Sequence, residues 1–433
     1  QWFRDNRSLG YLAQYQLGYR DRLFVQAGAR WDQNSSFGES APVFFLPKVG
    51  VSYVLSDDPS FREAFSWVDQ LRLRAAFGTT GRSPDEGVAL RTYDPSAYVD
   101  GGGNIAPGVR LANPGNPELT AERGVEYEVG LDFSVLQNRL GVEWTYFRKS
   151  TKDLILEMPV APSLGFLQGP LVNLGEVLNA GMELSIRGDI IRTPNLSWNV
   201  QMGMATLHNE LISLGGLDEF GSRSARFVEG QPLGTAYVRT IRRVDGDRTI
   251  VSDTLEAGGD VMPDFEGNFQ TSVTLFGSIE LRGQLDWKTG FQIRNSTGEF
   301  RETSFVRARE RVDEGFLSGT ERLKRYGPFF DESGNSVPIS AADAVYLQDG
   351  DFLRLRELTV SISLPEAATS KIGAQSGRLT VGGRNLALWT GYQGVDPETI
   401  PNILTRELSS FRSYSFFTLP EPRRLIVRLS LQF

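Results

Sequence analysis

His208 is the only histidine in a chain of 433 residues, and the chain has no cysteine. These two facts remove most routes to side-chain chemistry. A Ser–His or Cys–His nucleophile pair needs an imidazole poised beside it, and a thiolate or imidazole metal centre needs several such ligands. His208 closes an alternating run next to Asn209-Glu210, and no G-x-S-x-G pattern occurs anywhere. It reads as a polar rim residue. Asp245, Asp247, Thr249, Asp253 and Glu256 fall at positions 1, 3, 5, 9 and 12 of a calcium-loop spacing. Position 6 is Ile250, where the sharp turn needs glycine, so a solvated acidic loop is the better reading. No catalytic residue, metal site or cofactor is assigned.

Aromatic residues are the other group able to recognise something. Tyr93 and Tyr98, Tyr326 with Phe329 and Phe330, Trp389 with Tyr392, and Tyr414 with Phe416 and Phe417 crowd segments that lack strand periodicity. Ring faces near carboxylates suit glycans and peptides, and equally protein contacts. A third use is the aromatic girdle of a membrane barrel, which fits Trp31, Trp144 and Trp287 near strand ends. All three uses remain open. The turn Asp396-Pro397-Glu398 is read as structural, because proline fixes φ and flanking carboxylates cap local amides.

The elements that must carry these residues are strands. Val125, Tyr127, Val129, Leu131, Phe133 and Val135 alternate with Glu126, Glu128, Gly130, Asp132 and Ser134, and the same period recurs from end to end. Thirteen strands are predicted, at roughly 11–19, 23–31, 47–55, 71–79, 123–135, 140–148, 180–188, 196–207, 267–276, 279–289, 351–364, 378–388 and 424–433. Several are long enough to cross a bilayer at a tilt, which takes about 9–11 residues. Glycines such as Gly28, Gly50, Gly130 and Gly203 share a face with the polar residues. Arg72, Arg74, Glu126, Glu128, Arg354 and Arg356 would then face a wet interior, with Leu131, Phe133, Trp144, Leu281 and Leu429 on the lipid side.

Connections alternate strictly between shorter (20–22, 56–70, 136–139, 189–195, 277–278, 365–377) and longer (32–46, 80–122, 149–179, 208–266, 290–350, 389–423). Outer-membrane barrels sort their loops in this way, whereas a soluble sandwich has no reason to. Hydrophobic residues at 40% and a mean hydropathy of −0.25 exclude a helical membrane protein but not a barrel, whose two faces average out. A net charge of −8 argues against nucleic-acid binding. The run Leu425, Val427, Leu429, Leu431, Phe433 ends on an aromatic and is similar to the closing strand of outer-membrane barrels.

Particular segments also resemble the SusC/RagA family of TonB-dependent transporters. Leu71-Arg72-Leu73-Arg74 through Gly78-Thr79-Thr80-Gly81 is similar to a family segment, with Arg82 where asparagine is usual. Asn116-Pro117-Glu118-Leu119-Thr120-Ala121-Glu122 and Asn173-Leu174-Gly175-Glu176-Val177-Leu178-Asn179-Ala180-Gly181-Met182-Glu183 match two more. The most specific is Asp349-Gly350-Asp351-Phe352-Leu353-Arg354-Leu355-Arg356-Glu357-Leu358-Thr359, then Gly383-Arg384-Asn385-Leu386 and Gly394-Val395-Asp396-Pro397-Glu398. An acidic, glycine-rich loop common in the family survives only as Val244-Asp245-Gly246-Asp247.

The resemblance implies an all-β, transmembrane antiparallel barrel of about 22 strands. Residues 1–433 would be its C-terminal part, with about thirteen of those strands and without the plug domain. It implies energised import of an oligosaccharide or peptide across the outer membrane of a Gram-negative bacterium, with a SusD-like surface lipoprotein and the TonB complex as partners, and no enzymatic step. A passive porin, a barrel hydrolase and a soluble β-rich adhesin are the alternatives left open.

Overall fold

Strict alternation over long runs favours extended chain whose two faces differ, and that is what forms. The computed structural model describes residues 6–39, 43–158, 160–161, 169–222, 225–304, 328–337, 345–398 and 414–433. Thirteen strands lie side by side in sequence order, every neighbour antiparallel. They are β1 (Ser8–Tyr19), β2 (Leu23–Asn34), β3 (Phe44–Val54), β4 (Val68–Arg82), β5 (Glu122–Val135), β6 (Leu140–Glu157) and β7 (Leu171–Arg192). β8 (Leu196–Thr206), β9 (Phe265–Leu275), β10 (Ile279–Thr289), β11 (Phe352–Ser363), β12 (Ser376–Thr390) and β13 (Arg424–Gln432) complete the row. Each predicted strand has one observed counterpart. Among the described residues, β1 and β13 each pair on one side only, so the row has two open edges.

An uninterrupted antiparallel meander puts successive connections at opposite ends. At one end lie the short turns, tied to each other by Val54 N–H to the Arg22 carbonyl (2.8 Å), Asn138 N–H to Asp69 (2.8 Å) and Phe276 N–H to the Asn195 carbonyl (2.8 Å). Arg20 and Asp21 (φ 52° and 54°), like Phe276 and Gly277 (φ 52° and 67°), adopt the paired left-handed geometry that matches hairpin twist. The long connections gather at the other end. There Gly38 N–H reaches the Leu119 carbonyl (2.8 Å) and Thr120 N–H reaches Asn173 (2.7 Å). Farther round, Ser333 donates to Asp253 (3.1 Å).

β6 and β7 run farther than the sequence pattern indicates, pairing up to Glu157↔Leu171. The extension is held by a small core of Leu154, Leu156, Val177, Leu211, Leu214 and Phe227 above the main sheet. Packing there replaces the two-faced alternation on which the prediction depends, so the period fades while the strand continues. Two further small cores, around Val251/Phe329 and around Phe291/Ile293/Phe352, also lie at the long-connection end.

Among the described residues, nothing covers the apolar face of the main sheet. Val49, Val51, Leu73, Tyr127, Val129, Leu281, Val360, Val381, Val427 and Leu429 are all exposed, the least of them by 36%. Soluble monomers rarely show a contiguous apolar patch beyond a few hundred Å². Here the patch crosses the whole row of strands. The opposite face carries the ion pairs Lys149–Glu126 (4.0 Å), Arg187–Glu143 (3.7 Å) and Arg282–Glu280 (3.0 Å). Apolar outside and charged inside is the arrangement of a barrel whose solvent is lipid.

Candidate functional site: the polar wall and its mouth

Polar residues of β4 to β11 line one continuous wall. Two register rows show how pairing assembles it: Arg74↔Gly130↔Thr145↔Glu183, and Gln201↔Gln270↔Gln284↔Glu357. A cavity of about 560 Å³ opens on this wall and is bordered by Arg74, Glu143, Asn268, Gln284, Lys288 and Arg356. Glycine on the same face leaves room for longer neighbours. A Cβ at Gly130 would stand 3.0 Å from the Arg74 guanidinium, and one at Gly203 would stand 2.9 Å from the Asn268 amide.

Charge on the wall is neutralised locally. Asp132, 6% exposed, accepts from Arg72 Nε (2.6 Å) and Arg74 Nε (3.0 Å), and Arg74 also donates to Thr145 (3.2 Å). Near the mouth, Arg354 and Asp396 are each 3% exposed and joined at 2.5 Å. Arg356 donates to Glu398 (2.6 Å), Asp286 (2.6 Å) and Asn385 (3.1 Å). Arg354 Nε also lies 2.9 Å from Glu398. The Asp396-Pro397-Glu398 turn therefore does more than cap amides: it docks from the polar side on two arginines of β11, one of which is also held by β10 and β12. Sequence alone does not identify Asp286 and Asn385 as partners of Arg356, because strand register brings them there.

At the rim, burial pushes the Asp260 carboxyl above its ordinary range, and the neighbouring Asp264 carboxylate adds to the shift. The Asp351 carboxyl is raised chiefly by burial as well, against a hydrogen bond from Gly290 N–H (2.7 Å). His208 is exposed and sits 3.4 Å from Glu210, a rim position. The calcium-loop spacing does not converge. Asp245 faces Arg248 across a hairpin, Asp253 accepts from Ser333, and Glu256 accepts from Thr240 (2.5 Å) and pairs with Arg242.

The aromatic candidates scatter. Phe329 is 2% exposed inside the core with Val251 and Val337, so its ring packs and does not face a ligand. Tyr392 is 5% exposed, its hydroxyl bonded to Ser415, and burial raises its pKa. Trp389 lies across from Leu353 on the apolar face, where a girdle residue belongs. Tyr326 lies outside the described residues, as does the side chain of Tyr414, whose backbone pairs with Arg294. Phe300, Phe416 and Phe417 form an edge-to-face triad with centroids 4.7–5.7 Å apart.

Tyr93 and Tyr98 stay exposed but on opposite faces of one hairpin, Thr92–Val99 with Ile105–Asn113. Its register stacks Tyr93/Leu111, Pro95/Val109, Ala97/Pro107 and Val99/Ile105, a face with no charge on it. Val99, Ile105 and Val109 are 68%, 80% and 74% exposed. The other face holds the Asp94–Arg110 ion pair. Sequence reading picked out the two tyrosines and missed the face, although residues 93–99 and 105–111 alternate on either side of Gly101-Gly102-Gly103.

Comparison with known proteins agrees with this geometry. Residues 2–386 match the family described as TonB dependent receptor-like, beta-barrel. TonB-dependent receptor P26 of Formosa agariphila is 22% identical over 96% of this chain and 45% of its own length. TonB-dependent receptor SusC of Bacteroides thetaiotaomicron is 23% identical over 91% of this chain and 41% of its own. Among solved structures, the RagAB peptide transporter superposes with a TM-score of 0.78 at 19% identity, covering 99% of this chain and 48% of that one. The chain thus spans less than half the length of the relatives it matches.

Proposed function

The chain belongs to the family of TonB dependent receptor-like β-barrels, and from that premise we propose that it forms part of the wall of an outer-membrane nutrient importer. The open edges of β1 and β13 are closed by the remaining strands of a larger barrel, since an unpaired edge is untenable in hydrocarbon. A plug domain held inside that barrel gates it, and TonB supplies the pull. Cargo is an oligosaccharide or a peptide, bound at the long-connection end together with a SusD-like lipoprotein. The chain itself makes and breaks no covalent bond. Its work is binding, gating and providing a polar conduit.

The observation that carries this reading is the inversion of the sheet, with a predominantly apolar outer face and a charged, ion-paired inner one. A soluble adhesin would bury the first and expose the second. Deleting the gene for the full-length receptor should abolish growth on the cargo at limiting concentration, and restoring it should restore growth. Unchanged growth on every oligosaccharide and peptide tested would count against import.

The hairpin 92–113 supports the partner half of the reading. β4 and β5 stay paired from Val68↔Val135 to Arg82↔Glu122, more than the roughly 9–11 residues a tilted membrane strand needs. The hairpin therefore stands clear of the bilayer. A lone two-stranded hairpin is marginal in water, and its uncharged face fits a protein surface. Val109→Asp should leave the receptor folded in the membrane and weaken retention of the lipoprotein on co-purification about tenfold or more, the scale of a hot-spot loss. Full retention by Val109→Asp would remove the hairpin from the interface.

A further inference from the structure

The Asp396-Pro397-Glu398 turn is a sequence marker that the transport reading leaves without a task. Its position in the fold suggests one. β12 rises to the mouth at Thr390, and the chain then reverses inward. Tyr392 is pinned through Ser415, and Gln393 N–H donates to Gln348 (3.1 Å). Asp396 and Glu398 then meet the polar wall below the rim. Glu398 reaches Arg356, which also binds Asn385, five residues beneath the top of β12. Pro397 is fully buried at this docking point. Glu398 is also one of the groups bordering the 560 Å³ cavity of the wall.

The binding is ionic and polyvalent. Two guanidiniums of β11 meet two carboxylates of the turn, and Asp286 of β10 shares the second guanidinium. Pro397, the apolar residue of the turn, is buried with these charges. A contact of this kind is specific in register and separable in one piece, because each charge can regain water on leaving. We propose that residues 391–398 are a strap latched into the lumen by Asp396 and Glu398, narrowing access from the mouth to the cavity below independently of any plug. The proposal rests on the barrel reading of the preceding subsection, but its test does not depend on transport.

The chain has no cysteine, so Ser185→Cys, on the cavity wall and outside the latch, is a unique probe within it. In the full-length receptor on intact cells, with any cysteine outside these residues replaced, Ser185→Cys is treated from outside with a small impermeant maleimide and with a polymer-bearing one. With the latch intact the small reagent should react and the large one should lag well behind. Arg356→Glu, which sets a carboxylate against Glu398 and Asp286, should raise the large reagent's rate at least several-fold relative to the small one. Adding Glu398→Gln and Asp286→Asn removes both opposed carboxylates, supplies amides that can donate to the new one, and should return the ratio toward its starting value. That rescue separates a latch from general damage to the fold. An unchanged ratio in Arg356→Glu would overturn the proposal, as would failure of the added neutral substitutions to rescue. Absence of reaction with either reagent in all variants would mean that something other than the strap covers the cavity, and it would overturn the proposal too.

Discussion

Arg354→Met should strip hydrogen-exchange protection from residues 391–398 while leaving strands β9 to β12 protected. Arg354 and Asp396 are both 3% exposed, and the pair is joined at 2.5 Å. Removing one member of such a pair leaves its partner buried and uncompensated, at a cost of about 3–5 kcal/mol. Asp396 can escape that cost only by taking its segment out into water. The expected loss is therefore a loss of docking, with exchange in 391–398 faster by about two to three orders of magnitude. Adding Asp396→Leu removes the stranded charge and should recover a large part of the protection, because a well-packed apolar pair often does as well as a buried ionic one. Protection unchanged in the single variant would mean that the turn is held by something else.

Val129→Arg should destabilise the barrel far more than the same arginine placed on its polar wall. Val129 lies mid-way along β5 and is 47% exposed on the apolar face. Arginine at the bilayer midplane of a barrel costs about 2–4 kcal/mol, and the cost falls toward the interfaces. Gln270→Arg places the same side chain mid-way along β9 on the polar face, beside Gln201 and Gln284, where water and carboxylates can receive it. The two variants carry equal charge changes at equal strand depth. Folded yield in lipid bilayers, followed through urea titration, should drop for Val129→Arg and stay near wild type for Gln270→Arg. Equal effects would remove the distinction between the faces.

Much of this fold was legible because a barrel writes its geometry into sequence at short range. Each of the thirteen strands in the row has a predicted counterpart, since lipid on one side and water on the other enforce a period of two. The parity of connection lengths follows from the meander, except that the connection 55–67, which holds a short helix, is longer than 35–43 at the opposite end. The period was lost where lipid stops acting, as in β6 and β7 above the membrane, where Leu154, Leu156 and Val177 pack on Leu211 and Phe227. The site was less legible, for a related reason. Aromatic residues in long connections were grouped by closeness in sequence, yet Phe329 and Tyr392 are core residues and Trp389 belongs to the outer face. Tyr93 and Tyr98, five residues apart in one strand, fall on opposite faces. The latch needed Asp286 and Asn385, which join Arg356 through pairing of β10, β11 and β12. Nothing local marks such partners.

The assignment of the two faces is the central claim, and a single-cysteine scan of β5 tests it most directly. The chain lacks native cysteine, so, with any cysteine elsewhere in the full-length receptor replaced, each of residues 125–134 can carry a nitroxide probe in the receptor's membrane. Val125, Tyr127, Val129, Leu131 and Phe133 should respond to oxygen dissolved in lipid and be shielded from a water-soluble relaxant. Glu126, Glu128, Gly130, Asp132 and Ser134 should be shielded from lipid-borne oxygen. A two-residue oscillation of opposite phase for the two relaxants is the predicted result. The same oscillation with the phases exchanged, or high access to the aqueous relaxant along the whole strand, would contradict the membrane barrel.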